Sequence, residues 1–379
     1  MANFRVNRRR FMGIAGGASA AIATLLSSCG TPAATPAAPA GGETAATSGA
    51  GGRLIDAPEG KPETTSIVVA MDNPNYATQA QYYIARDLGF FQQEGFSKVE
   101  ILTADDTFLG VVSGDITFAN TDTDILINGV VNNQPARMIC CNRDHEWQII
   151  GLGSDIKAPA DLIGKKVILN DPGTREWARS KAAISRWSNG EVDIDRDCEG
   201  ITVSGGSDNW NQALVSGQVS ASIQYPRHVE SVKKAGGTIL LGGWNEVPQE
   251  AMTVNTDFAA KNPITVLNYL RAILKARAVW CDPTRKDEVI ALLKATNQFN
   301  FREGFERAYF VEPEQYSIHA GFAMQSMNSY LTDLGSYGLV PEGMRYEAFA
   351  DLSFLHKAQK QILGTTLPSA TDQSLLTLY

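Results

Sequence analysis

Ser66-Ile67-Val68-Val69-Ala70-Met71 is an apolar run of strand length that stops at the turn-prone Asp72-Asn73-Pro74-Asn75. The residues after that turn limit the possible folds more than any other stretch. Ala80, Tyr83, Ile84, Leu88 and Phe91 recur at helical spacing, and Gly89 and Gly95 close that helix and the next turn. Val99-Glu100-Ile101-Leu102 is then a second strand. A strand, a helix and a strand in that order form a βαβ unit, so the sequence predicts a parallel sheet with helices on its faces.

A short internal repeat suggests two such units. Val112-Ser113-Gly114-Asp115-Ile116-Thr117 is echoed by Val215-Ser216-Gly217-Gln218-Val219-Ser220. Each copy follows an apolar helical stretch and leads into a strand that ends in a polar loop. The loops are Asn120-Thr121-Asp122-Thr123 and Gln224-Tyr225-Pro226-Arg227. A second lobe is expected to open at Ser154 and reach a strand at Val167-Ile168-Leu169. Thr174 is placed as an N-cap, with Trp177, Ile184 and Trp187 on one helix face. Asn262-Pro263 and Asp282-Pro283 predict helix starts. Val266, Leu267, Leu270, Ile273 and Leu274 form a core stripe, and 313–332 and 344–363 read as further helices.

The first ten residues carry Arg5, Arg8, Arg9 and Arg10 and no acid. A short apolar stretch comes next, ending in Leu26-Ser27-Ser28-Cys29-Gly30. This order reads as a secretory signal. Leu-Ser-Ser-Cys resembles a bacterial lipobox, which implies a lipidated Cys29. Asn7-Arg8-Arg9-Arg10-Phe11-Met12 resembles a twin-arginine export signal. Residues 30–60 are Ala, Thr, Pro and Gly with few charges, the composition of a flexible tether. Cleavage before Cys29 leaves 351 residues, enough for two lobes with real cores, and moves the net charge from −8 to −12. An acidic body argues against a nucleic-acid partner, so membrane contact is expected through the N-terminal lipid alone. Cys140, Cys141, Cys198 and Cys281 make no CxxC pair, and with four scattered histidines no metal site is expected. Cys140 and Cys141 read as small apolar residues of a buried strand.

Three stretches carry a family resemblance. Tyr83-Ile84-Ala85-Arg86-Asp87-Leu88-Gly89-Phe90-Phe91-Gln92-Gln93-Glu94-Gly95-Phe96 resembles the first helix of ABC-importer substrate-binding proteins of the alkanesulfonate, nitrate and thiamine-pyrimidine type (SsuA/THI5-like, NMT1-like). Residues 156–167 resemble the opening of that family's second lobe. Ser216-Gly217-Gln218-Val219-Ser220-Ala221 resembles its Ser-Gly-x-Val-Asp-Ala strand, with Ser220 in place of the acid. The resemblance implies an α/β, two-lobed periplasmic-binding-protein fold of type II. Its mostly parallel sheets would be flanked by helices, with a ligand cleft between the lobes. The expected division is an export signal at 1–28 and a tether at 29–64. Lobe one takes 65–152 with 250–379, and lobe two takes 153–249. The implied role is delivery of a small molecule to an ABC permease from the outer face of the bacterial cytoplasmic membrane.

Open α/β sheets bind ligands beyond the carboxyl ends of their strands. The candidate site residues are therefore Asn73, Tyr76, Asp105, Thr107, Asn120 and Thr121 in lobe one, and Gly173, Thr174, Trp210 and Tyr225 in lobe two. Trp244 is a further aromatic wall, and Arg143, His145 and Trp147 mark a hinge or rim loop. Gly173-Thr174-Arg175 at a helix start suits an oxyanion such as an alkanesulfonate, taurine or nitrate. The amides, acids and tryptophans suit a pyrimidine- or flavin-like ring, and the sequence tilts slightly toward that class. One branch of the fold family makes thiamine pyrimidine with a CCCFC motif. In this chain Cys140-Cys141 is followed by Asn-Arg, so no enzymatic activity and no cofactor are expected.

Overall fold

A computed structural model describes residues 59–72, 79–143, 146–147, 149–169, 174–204, 206–225, 228–241, 244–245, 247–296 and 318–364. All of them belong to one unit, Ser48–Tyr379. The strands are β1 (Ser66–Met71), β2 (Lys98–Thr103), β3 (Phe118–Asp122), β4 (Ala136–Arg143), β5 (Glu146–Trp147), β6 (Ile149–Leu152), β7 (Lys166–Ile168), β8 (Glu199–Gly200), β9 (Ala221–Gln224), β10 (Thr238–Leu241), β11 (Trp244–Asn245) and β12 (Glu250–Asn255). The helices up to residue 295 are α1 (Ala80–Asp87), α2 (Phe90–Gln93), α3 (Thr107–Ser113), α4 (Thr123–Val131), α5 (Arg175–Trp187), α6 (Ile194–Asp197), α7 (Ser207–Val215), α8 (Val229–Lys234), α9 (Thr256–Lys261), α10 (Pro263–Trp280) and α11 (Lys286–Ala295).

Two five-stranded sheets result, in the orders β2-β1-β3-β12-β4 and β10-β6-β9-β7-β8. Each is mixed rather than mostly parallel. β1 pairs in parallel with β2 and β3, and β7 with β8 and β9. β12 runs antiparallel to β3 and β4, and β6 antiparallel to β9 and β10. The physical reason is the crossover. β6 and β12 enter their sheets from the other lobe, so they run against the strands that a local βαβ turn delivers. β6 pairs within the second sheet, so that sheet begins at Ile149 rather than at 153. A ribbon of β5 and β11 pairs the two crossings.

The repeat has a structural basis. Gly114 and Gly217 end α3 and α7 with φ of 85° and 76°, a left-handed turn that suits glycine, and β3 and β9 come next. In lobe one α10 is the central helix, with 13 of its 18 residues buried. Tyr269 stacks on Phe118 at 3.8 Å and on Phe91 at 5.9 Å, tying α10 to β3 and α2. The C-terminal helices are Met324–Ser336 and Ser353–Ile362. The stretch before the second one, expected as helix from 344, holds only a 3₁₀ turn at Tyr346–Ala348. There the Phe349 carbonyl accepts from the Met138 amide and Asp351 N–H donates to the Met138 carbonyl, so the chain runs beside β4.

Residues 59–64, expected to belong to a tether, are docked on α10. The Glu63 carboxylate accepts from Ile264 N–H at 3.0 Å and from Thr265 N–H at 2.7 Å. Asn268 Nδ2 donates to the Gly60 carbonyl at 3.1 Å. Burial raises the Glu63 pKa, but these bonds at a helix N-terminus outweigh it and the net shift is downward. A lowered folded-state pKa stabilises the fold above the ordinary carboxylate range, and that contribution is lost as pH falls through the folded value. Glu63→Ala is expected to cost about 0.5–1 kcal/mol at pH 7, the low end of a capping loss because the group is solvent-screened. Urea unfolding at pH 7 and pH 3 checks this, since the gap to wild type should close at the lower pH.

Candidate functional site

The carboxyl ends of β1, β2 and β3 and the amino end of β12 share one edge of the first sheet. In the second sheet, the last residue of β9, Gln224, pairs with the first residue of β6, Ile149. Arg143 ends β4 only six residues before Ile149, a span of at most about 22 Å. The polar edges of the two sheets are thus joined by short chain connections, and open α/β sheets in general bind ligands beyond such edges.

Four residues in or beside these edges carry buried polar atoms without a partner, as do residues elsewhere such as Tyr82 and Ser353. Gln79, just before α1, is fully buried, and neither amide atom has a hydrogen-bond partner. Asn120 in β3 is 2% exposed and its Oδ1 is unpartnered. Thr123, the first residue of α4, has a buried hydroxyl without a partner. Gln224 is fully buried with both amide atoms unpartnered. An unmade buried hydrogen bond costs roughly 1–3 kcal/mol, so four such residues on two sheet edges need a physical reason.

Behind these groups lies a satisfied network. Arg277, fully buried in α10, donates to Gln81 Oε1 at 3.3 Å and to the carbonyls of Cys141 and Asn142 at 3.3 and 3.0 Å. Gln81 Nε2 donates to Asn142 Oδ1, and Asn142 Nδ2 donates to Glu250 Oε2 at 2.8 Å. The Arg143 guanidinium lies 3.7 Å from Glu250 Oε1 and donates to Gln249. Burial raises the Glu250 pKa, while Arg143, Asn142 and Asn120 pull it back and Asp72 adds to the rise. Both arginines are therefore committed inside the protein.

The sequence candidates divide. Asn120 lies in the polar edge. Thr107 and Thr121 lie beside it, but their hydroxyls serve the fold. Thr107 Oγ1 donates to the Asn120 carbonyl at 2.7 Å, and Thr121 Oγ1 bonds Thr253 Oγ1 at 2.9 Å. Asp105 is exposed in the turn after β2, and Asp106 caps α3 through Leu109 N–H. Thr174 caps α5 by accepting from Trp177 N–H at 3.2 Å. The Trp210 indole donates to the Val203 carbonyl at 2.8 Å, and its ring packs on the core of lobe two. Tyr225 comes directly after Gln224 and meets the His228 ring edge-on at 6.2 Å, while His228 Nε2 lies 2.9 Å from Asp208 Oδ1. Cys29, Asn73, Tyr76, Gly173 and His145 lie outside the described residues, as do the side chains of Trp147 and Trp244. Sequence reasoning missed Gln79, Gln81, Asn142, Glu250 and Arg277. Burial pushes the Cys140 thiol up to about 12, against the pull of Arg277, which suits a packing residue rather than a nucleophile.

Known proteins show the same architecture. The nitrate/nitrite binding protein NrtA of Synechococcus elongatus is 26% identical over 328 residues, covering 77% of this chain and 71% of that protein. The periplasmic nitrate-binding protein NrtA from Synechocystis PCC 6803 superposes with a TM-score of 0.57 at 17% identity, over 80% of this chain and 90% of that one. The aliphatic sulphonate binding protein SsuA from Escherichia coli gives 0.53 at 13% identity, over 83% and 96%. These structures establish the two-lobed periplasmic-binding-protein fold expected from the sequence. A sequence model described as NMT1/THI5 like matches residues 76–284, more than half of the chain. The chain belongs to the NMT1/THI5-like family.

Proposed function

We propose that this protein is the solute-binding component of an ABC importer, exported and held by a lipid on Cys29 at the outer face of the cytoplasmic membrane. Its partners are a small solute and the importer's permease. It captures the solute between the lobes and performs no chemistry on it. The solute carries hydrogen-bond donors, and a pyrimidine- or flavin-like ring compound fits best. One observation carries this reading: the buried, unpartnered acceptor Asn120 Oδ1, accompanied by the amides of Gln79 and Gln224. Asn120 Oδ1 needs a donor, which an oxyanion lacks, while the Gln79 and Gln224 amides can meet a donor and an acceptor together, as a ring compound carries. The acids Asp72, Asp122 and Glu250 at the same edge also disfavour an anion.

A second reading, an oxyanion binder, rests on the similarity to a nitrate/nitrite binding protein and on the capped start of α5. Mass spectrometry of solutes co-purifying with residues 59–379 decides between them, with calorimetry on the compounds found. A donor-bearing ring compound is expected; nitrate or a sulfonate as the tight ligand would replace the first reading with the second. Small-angle scattering should show a smaller radius of gyration with that ligand, because a ligand shifts only an equilibrium whose two forms it binds differently. For the anchor, Cys29→Ser is expected to release the protein from the membrane fraction. Membrane retention through the same lipid would contradict it.

A further inference from the structure

The C-terminal segment is rooted beside the first sheet. The Ala320 carbonyl accepts from Cys141 N–H in β4 at 2.8 Å, and Phe349–Asp351 runs along Met138 of the same strand. The helix Met324–Ser336 leaves from this base. Tyr346 N–H donates to Asn328 Oδ1 at 3.0 Å, and the Tyr346 hydroxyl to Met324 Sδ at 3.2 Å, so its first turns are tied down. Its 13 residues carry the chain about 20 Å. At the far end Tyr337 meets Trp177 of α5 edge-on, with ring centroids 5.6 Å apart and planes at 70°. α5 follows β7 of the second sheet, so this contact joins the lobes outside the two strand crossings, β4 to β6 and β10 to β12.

The lobe-two half of the contact is braced. Trp177 is buried, and its Nε1 donates to Asp195 Oδ1 at 2.8 Å. Lys181, one turn along α5, donates to Asp193 Oδ1 at 3.0 Å and to Asp195 Oδ2. Held there, its ammonium lies 5.3 Å from the Trp177 ring centre and 6.0 Å from that of Tyr337. One fixed cation thus faces both rings, and edge-to-face and cation–π contacts each add to plain packing. A rotation of one lobe against the other must either drag the end of the tail helix along or pull Tyr337 off Trp177 and Lys181.

We propose that Tyr337 is a strap between the lobes: its ring, clasped by Trp177 and Lys181, holds the ligand-free protein in the lobe arrangement of this structure and sets the balance with other arrangements. A contact made in one arrangement and absent from another shifts their ratio by its own free energy. The strap acts on that balance alone, whatever solute the protein takes.

Tyr337→Ala is the direct test. Single-molecule energy transfer between dyes attached to p-azidophenylalanine introduced at two exposed positions, Asp115 in lobe one and Lys233 in lobe two, reads the inter-lobe distance in exhaustively dialysed protein. The ratio of other lobe arrangements to the strapped one is expected to rise at least fivefold in Tyr337→Ala. Tyr337→Phe keeps the ring and should stay near wild type; a shift as large as that of Tyr337→Ala would overturn the ring contact. Lys181→Met keeps both rings and loses the cation, so it should shift the ratio the same way by a smaller factor, and it decides the matter if Tyr337→Ala does not fold. An unchanged distance distribution in variants with wild-type circular dichroism overturns the proposal. So does a lowered melting temperature with that distribution unchanged, the mark of a residue that only packs. No solute enters the measurement, so the strap and the solute-binding reading fail separately.

Discussion

Gln224→Leu is expected to make the protein more stable and less able to bind its solute. The side chain is fully buried and neither of its polar atoms has a partner. Leucine has similar bulk and no polar atom, so the unliganded fold is relieved of a desolvation penalty of about 1–3 kcal/mol. The bound state loses the hydrogen bonds that the amide makes to the solute. Losing one or two bonds worth about 1 kcal/mol each weakens binding roughly 5- to 30-fold. Urea unfolding and calorimetry on the same preparation read both effects. A destabilised variant with unchanged affinity would show that Gln224 is a structural residue whose partner is supplied by the fold.

Arg277→Met is expected to cost more stability than Glu63→Ala or any of the other substitutions above. Methionine fills much of the volume but leaves Gln81 Oε1 and the carbonyls of Cys141 and Asn142 without their donor. Removing one side of a buried charged network destabilises by about 3–5 kcal/mol. Arg277→Lys should recover part of the loss, since the three bonds to Gln81 Oε1 and the Cys141 and Asn142 carbonyls come from the single nitrogen Nη1, which an ammonium with three donors can partly replace. Urea unfolding with an unchanged denaturant slope checks this, and a loss below about 1 kcal/mol would contradict the bracing role.

Most of the fold is legible in the sequence because its signals are local. β1, α1 and β2 announce themselves by a strand-length apolar run, a helical period and two glycines. The matched Val-Ser-Gly turns at Gly114 and Gly217 give the two lobes away. β12 and β6 are harder, since nothing local tells a chain that it will run antiparallel after crossing between lobes. The docked segment 59–64 reads as tether because its composition is polar, and only the distant N-terminus of α10 explains Glu63. Part of the site is legible on the same terms. Asn120 comes from strand-end logic. Thr107 and Thr121 obey that logic equally, yet their hydroxyls are used up by the Asn120 carbonyl and by Thr253. Trp210 is a comparable case, with its indole N–H spent on Val203. The network escapes a sequence reading because its members lie in apolar stretches and far apart along the chain. Arg277, set between Ala276 and Ala278 and before Val279 and Trp280, is nevertheless a signal, because a charge within an apolar stretch requires partners if it is buried.

The proposal that one solute is held by both lobes, through buried amides lacking partners inside the protein, is tested most directly by side-chain amide NMR. A deuterated, 15N-labelled protein is titrated with the co-purifying solute, and the NH2 resonances of Gln79 in lobe one and Gln224 in lobe two are tracked together. Both are predicted to shift saturably with the same dissociation constant. Saturation of one resonance while the other stays fixed would contradict a solute shared between the lobes.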